Sequence, residues 1–232
     1  YLLPEGANFE AMGIFGANVK IATFMVLFIQ AFRFAAEPFF FSGEGDFKLK
    51  MARVMRYFVM VQTLIFLGLV CFLDIIKWTR FIDEKFWAGL DIVPILLFAN
   101  LLLGINFNLN IWYKLKNKTR MGAYITFLGL FFTVVFNLIL VPQYGYYGAA
   151  WATLISYAAM TGYSFYLNQK HDRTEYPVKN ILFYISTSTL LAAMAAYIFD
   201  YHLLYTSIIF LLFVALMWFS DGKSIYKELR NG

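Results

Sequence analysis

The sequence predicts an all-α, polytopic helical membrane protein with about seven transmembrane helices. Three observations predict it. Of 232 residues, 61% are hydrophobic and 21% aromatic, while only 14% are charged; ordinary soluble domains carry about 25% charged residues. The apolar residues fall into stretches near the ~20 needed to cross a bilayer as helix, without the polar–apolar alternation of a membrane β-barrel. The lysines and arginines crowd into alternate connections between those stretches. A soluble domain of this length would bury a core but leave many Phe, Leu and Tyr uncovered.

The spans are placed at 18–41, 57–76, 90–112, 121–141, 146–168, 181–199 and 203–220. No linker or low-complexity tract separates them, so residues 1–232 read as a single transmembrane domain.

The first span holds the most unusual chemistry, in "IQAFRFAAEPFFF". Thr23, Gln30 and Glu37 follow one another at heptad spacing and drift only ~20° per step; Arg33 lies about 40° from Glu37 at 100° per residue. The four form a polar stripe, with Phe24, Leu27, Phe28 and Phe34 assigned elsewhere. An arginine near the bilayer centre costs ~2.5–3.5 kcal/mol on insertion scales. Two readings stand. Arg33 and Glu37 pair structurally and pin the helix to a neighbour, or the stripe lines a hydrated cavity in which Arg33 meets an anion. Lys20 sits near the outer end, where a lysine snorkels to the interface. Pro38 removes a backbone donor and disfavours helix at Glu37, predicting a kink, a break or simply the helix end.

The second span contains the single Cys71, which makes no internal disulfide and reads as packing. In the third, "ANLLLGINFNLNIWYK", Asn100, Gly104 and Asn108 share one face, and Asn106, Asn110 and Tyr113 another. Asn100 reads as cross-helix glue, and the cluster Asn106, Asn108 and Asn110 as a wet vestibule suited to sugar hydroxyls. Asn137 and Pro142 are expected to end the fourth span. The fifth, "YGYYGAAWATLISY", repeats small residues four apart (Gly145 with Ala149, Gly148 with Ala152), the spacing of close helix packing. The last two spans carry little polarity beyond Ser and Thr and are expected to face lipid or pack peripherally.

Charge sets the topology. One alternate set of connections carries fourteen Lys and Arg, the other three; Lys20 and Arg33 lie in the first span. The positive-inside rule puts the N-terminal segment outside and the C-terminus in the cytoplasm. The net charge of +5 reads as topology and attraction to anionic membrane lipids, not nucleic-acid binding. Tyr1 would then lie outside with no signal peptide before it. The expectation is an earlier transmembrane helix, with this chain the C-terminal part of a larger protein.

Other chemistry is poorly represented. "FSDGKS" lacks a phosphate loop's first glycine, since Met217 holds that place. His171 and His202 fall on opposite sides without metal-ligand spacing. No metal, cofactor or catalytic domain is expected, and no enzyme, although Asp83 and Glu84 would be the carboxylates of a membrane glycan-transfer enzyme. No lysine in 203–220 could hold retinal.

The run "GIFGANVKIATFMVLFIQAFRFAAEPFFF" resembles the eighth transmembrane helix of bacterial polysaccharide flippases of the O-antigen (Wzx) type, in the multidrug/oligosaccharidyl-lipid/polysaccharide exporter superfamily. "PQYGYYGAAWATLISY" and "NIWYKLKNKTRMGAYI" are similar to that pattern in order and spacing, and the likeness runs along essentially the whole chain. It implies most of the C-terminal lobe of a MATE/flippase-like transporter, its N-terminal lobe preceding Tyr1. It further implies transport of undecaprenyl-diphosphate-linked oligosaccharide to the outer leaflet of the bacterial cytoplasmic membrane for surface polysaccharide, with a polysaccharide polymerase as a further partner. Arg33 is the cavity cation the resemblance supplies; Glu37 and Gln30 follow by geometry. A drug–cation antiporter of the same superfamily is the alternative.

Overall fold

The computed structural model describes residues 7–41, 46–79 and 82–231, apart from the side chains of residues 7, 8, 37, 39, 41 and 221–231. Among the described residues every regular element is helical. The order is α1 (Ala7–Phe41), α2 (Phe47–Cys71), α3 (Leu73–Trp78), a 3-10 stretch (Glu84–Ile92), α4 (Val93–Leu109), α5 (Ile111–Leu115), α6 (Arg120–Tyr144), α7 (Tyr146–Asp172), α8 (Val178–Tyr197) and α9 (Leu203–Asn231).

Six segments are long and apolar enough to cross a membrane: most of α1, α2, the run Glu84–Leu115, α6, α8 and the first part of α9. The chain is an all-α polytopic helical protein. The seventh expected span, α7, is 27 residues long but falls outside this apolar set. Its composition explains why. It is rich in Gly, Ala, Ser, Thr and Tyr, and packs chiefly between α6 and α4, so it needs small side chains for close approach more than greasy ones for lipid.

Local chemistry fixes the helix ends. The Asp46 side chain accepts from the amide of Lys48 at 2.9 Å and caps α2, satisfying a donor that the first turn leaves open. Pro94 lies in the first turn of α4, where its missing N–H costs nothing. Pro38 and Pro142 do not stop their helices at once. α1 continues through Pro38 and α6 through Pro142; each helix stops within about a turn, so few backbone bonds are lost.

α2 and α4 hold the centre. α4 packs against α1, α2 and α7, while α2 also carries α8 and α9. Met25, Ile29, Phe58, Leu67, Leu97 and Leu101 are buried where α1, α2 and α4 meet. α8 and α9 sit on the flank, as expected. α6 packs chiefly on α7 and exposes Phe127, Leu130, Phe131 and Leu138.

The α6–α7 hairpin is close-packed. A Cβ added to Gly148 would lie 2.3 Å from the carbonyl oxygen of Leu140, and one on Gly129 2.3 Å from the sulfur of Met160. Gly148, Ala152 and Ser156 are buried and Ala149 half-buried. Gly145 differs from its expected packing role. Nothing lies near its Cβ position; its φ of +59° makes the turn, a conformation open to glycine at little cost.

The connections gather at two ends. At one, Lys48 lies 3.3 Å from Asp172 and donates to the carbonyl of Arg173 at 3.2 Å, and Lys116 also binds the Asp172 carboxylate. At the other, the hydroxyl of Tyr146 donates to the carbonyl of Ala88 at 3.2 Å, and Lys77 lies 6.0 Å from the ring of Tyr201. These are the two alternate sets of connections that the charge pattern separated.

Candidate functional site

Arg33 lies at the seam between α1 and α4, just inside the lysine-rich end. Its Nη1 donates to Oε1 of Gln30 at 3.0 Å, a contact three residues back on the same helix face. Its guanidinium carbon sits 4.6 Å from the centroid of Phe107 on α4, within cation–π range. Arg33 and Ala36 of α1, Phe107 and Asn108 of α4, and Lys114 of α5 line a small pocket. Its volume of ≈ 20 Å³ holds about one water, so in this conformation the seam is closed to anything larger. Asn108 donates to the carbonyl of Gly104 at 3.2 Å, which leaves its side-chain oxygen as the acceptor on this wall.

The predicted stripe is only partly assembled. Gln30 and Arg33 are half-buried and act together, but Thr23 is exposed and donates to its own helix at Val19, 3.0 Å. Leu27 (58% exposed) and Phe34 (75%) share that outer face, and at 100° per residue Phe34 lies only about 20° from Thr23. The polar stripe and the apolar face therefore overlap. The Glu37 side chain lies outside the described residues.

Asn106 and Asn110 do not line a vestibule. Both are buried, and the hydroxyl of Ser164 on α7 reaches their side-chain oxygens, at 3.1 Å for Asn110. They form a clasp between α4 and α7. Asn100 acts as the predicted glue between helices: it donates to the carbonyl of Ala22 on α1 at 3.1 Å, and its own carbonyl accepts from Gln62 on α2 at 3.1 Å.

Several polar residues escaped the sequence reading. Asn18 is fully buried and donates to the carbonyls of Ile14 and Phe86. Gln62 and Ser164 are equally buried; a lone amide or hydroxyl within an apolar run was the available signal. Asp172, 3% exposed at its side chain, is shared by Lys48 and Lys116. Lys114, assigned only to topology by its sequence, faces the Arg33 pocket. Among the described residues no group of three or more His, Cys, Asp or Glu gathers as a metal site.

The fold and the seam define a class, a membrane-embedded helical protein with a half-buried arginine at the seam between two of its helices. No family model, curated protein or solved structure matches the chain.

Proposed function

We propose that this chain forms part of a transporter that flips undecaprenyl-diphosphate-linked oligosaccharide across the bacterial cytoplasmic membrane by alternating access. In this reading its lysine-rich end faces the cytoplasm and the chemistry is transport rather than catalysis. The observation that carries it is the guanidinium of Arg33 at the α1–α4 seam, with Lys114 on the same pocket. A lipid diphosphate needs positive charge in a wet cleft while its tail stays in hydrocarbon. A planar, permanently charged guanidinium binds phosphate oxygens in pairs, and intramembrane charges mark substrate paths. The closed pocket would be one state of the cycle, opening when α1 and α4 part. Asn108 offers an acceptor for a sugar or water at its edge.

Complementation of a flippase-deficient strain, scored for surface polysaccharide and protein abundance together, tests the reading. Arg33→Ala is expected to lose most polysaccharide while the protein accumulates, and Arg33→Lys to retain part of it. Normal polysaccharide in Arg33→Ala rejects the site. Failure of the unmodified protein to complement, with drug resistance conferred instead, favours a drug–cation antiporter.

A further inference from the structure

Arg33 stands on α1 and the ring it rests on belongs to α4, so this contact crosses the seam instead of lying within one helix. The guanidinium carbon is 4.6 Å from the centroid of Phe107, while Nη1 is tied to Gln30 of its own helix at 3.0 Å. The face of the cation is engaged by α4 and one of its edges by α1. A ring attracts a cation through the negative charge above its face, which changes an equilibrium by roughly 2- to 30-fold between exposed and desolvated sites. Phe107 is half-buried, between those limits.

Two further observations say what the contact does. The pocket beside it, ≈ 20 Å³, holds about one water, so a diphosphate has no room there while Arg33 sits on Phe107. The bond from Asn100 to the carbonyl of Ala22 also joins α1 to α4, but it lies roughly three turns away along α1. At the depth of the pocket α1 is held to α2 by Phe28 and Phe32 against Phe58, with centroids 6.1 and 4.6 Å apart, and it meets α4 through Arg33. Parting α1 from α4 here takes the guanidinium off its ring.

We propose that Phe107 is a positioning residue that acts through Arg33 as a latch: its ring holds the guanidinium across the closed seam, and a lipid diphosphate opens the seam by competing for the same cation. The inference rests on the transport reading and adds the step that couples substrate binding to opening. It carries a signature. While the closed form dominates, any factor by which the latch weakens raises the open fraction, and the apparent affinity for the anion rises by that same factor. Damage to a residue that only packs lowers affinity or stability and has no such effect.

The test uses the full chain in nanodiscs with farnesyl diphosphate as the probe. Spin labels go on Ala35→Cys of α1 and Lys118→Cys beyond α5, both exposed positions, while the native Cys71 is fully buried. Pulsed distance measurements should show a short separation that lengthens when the diphosphate is added. Placing one, two and then three fluorines on the Phe107 ring keeps its shape while draining charge from its face. Along that series the open fraction should rise stepwise and the affinity for farnesyl diphosphate with it, by roughly 2-fold or more at the last step. Phe107→Leu should match or exceed the most fluorinated ring. A flat series, an affinity that falls along it, or no lengthening with diphosphate overturns the latch. Arg33→Gln should open without the probe and bind it weakly. If Arg33→Gln binds farnesyl diphosphate normally, the transport site itself is rejected; if Arg33 is required but the fluorinated series is flat, the latch alone is.

Discussion

The side-chain amide of Gln62 donates to the main-chain carbonyl of Asn100 at 3.1 Å, bridging α2 and α4 inside an apolar bundle. Gly104 makes room for it. A Cβ at Gly104 would come within 2.4 Å of Nε2 and 2.6 Å of Oε1 of Gln62, and 2.7 Å of the Phe58 ring.

Gly104→Ala should therefore push Gln62 off its partner and destabilise by about 1–3 kcal/mol, the usual range for overpacking. Gln62→Ala alone should cost less. Such bonds average only about 0.6 kcal/mol in a bilayer, and Oε1 of Gln62 is already buried without a partner. The double variant should melt above Gly104→Ala. Thermal unfolding in detergent reads all three, and a double variant no better than Gly104→Ala shows that Phe58 is the real obstacle.

The Asp172 carboxylate serves two lysines at once, and its second oxygen has no hydrogen-bond partner. Lys48 and Lys116 are 47% and 43% exposed at their side chains, so either alone should contribute no more than about 1 kcal/mol after solvent screening. Removing both leaves a buried carboxylate uncompensated, at roughly 3 kcal/mol or more. Lys48→Ala with Lys116→Ala should thus cost clearly more than the two singles together, and adding Asp172→Asn should recover much of the loss. Strict additivity in the melting curves contradicts a shared ion pair.

Gly148 meets backbone, which cannot rotate away: its Cβ would lie 2.3 Å from O and 2.5 Å from C of Leu140. Gly148→Ala should already reduce folded protein in membranes, and Gly148→Leu should remove most of it. Gly145→Ala should weaken the same hairpin through the turn, where φ is +59°, although its Cβ would touch nothing. Normal abundance of Gly148→Leu would show that the hairpin opens more readily than its packing implies.

The helical architecture was legible because long apolar runs admit few alternatives once backbone groups must pair within their own segment. The grouping of connections was legible for a simpler reason: alternating helices must return to alternating ends. Asn100 could be assigned because an amide in hydrocarbon must find another helix. Its neighbours Asn106 and Asn110 could not, since Ser164 lies 58 and 54 positions away and periodicity says nothing about which helix stands opposite. The same limit hid Phe107 and Lys114 beside Arg33. Thr23 went astray through angle alone, because seven-residue spacing groups it with Gln30 yet ignores Phe34 almost directly above it. The stretch 146–168 reads as an apolar span in sequence, but its small residues serve protein contacts with α6 and α4.

The Ala22–Asn100–Gln62 chain of hydrogen bonds acts as an index pin through three helices. Sliding α1 along α4 by one turn, ~5.4 Å, would strand these groups where no water can replace their partners. Tilting about the pin leaves them joined. Arg33 therefore has a set height above Phe107, and the seam beside it is free to hinge but not to shear.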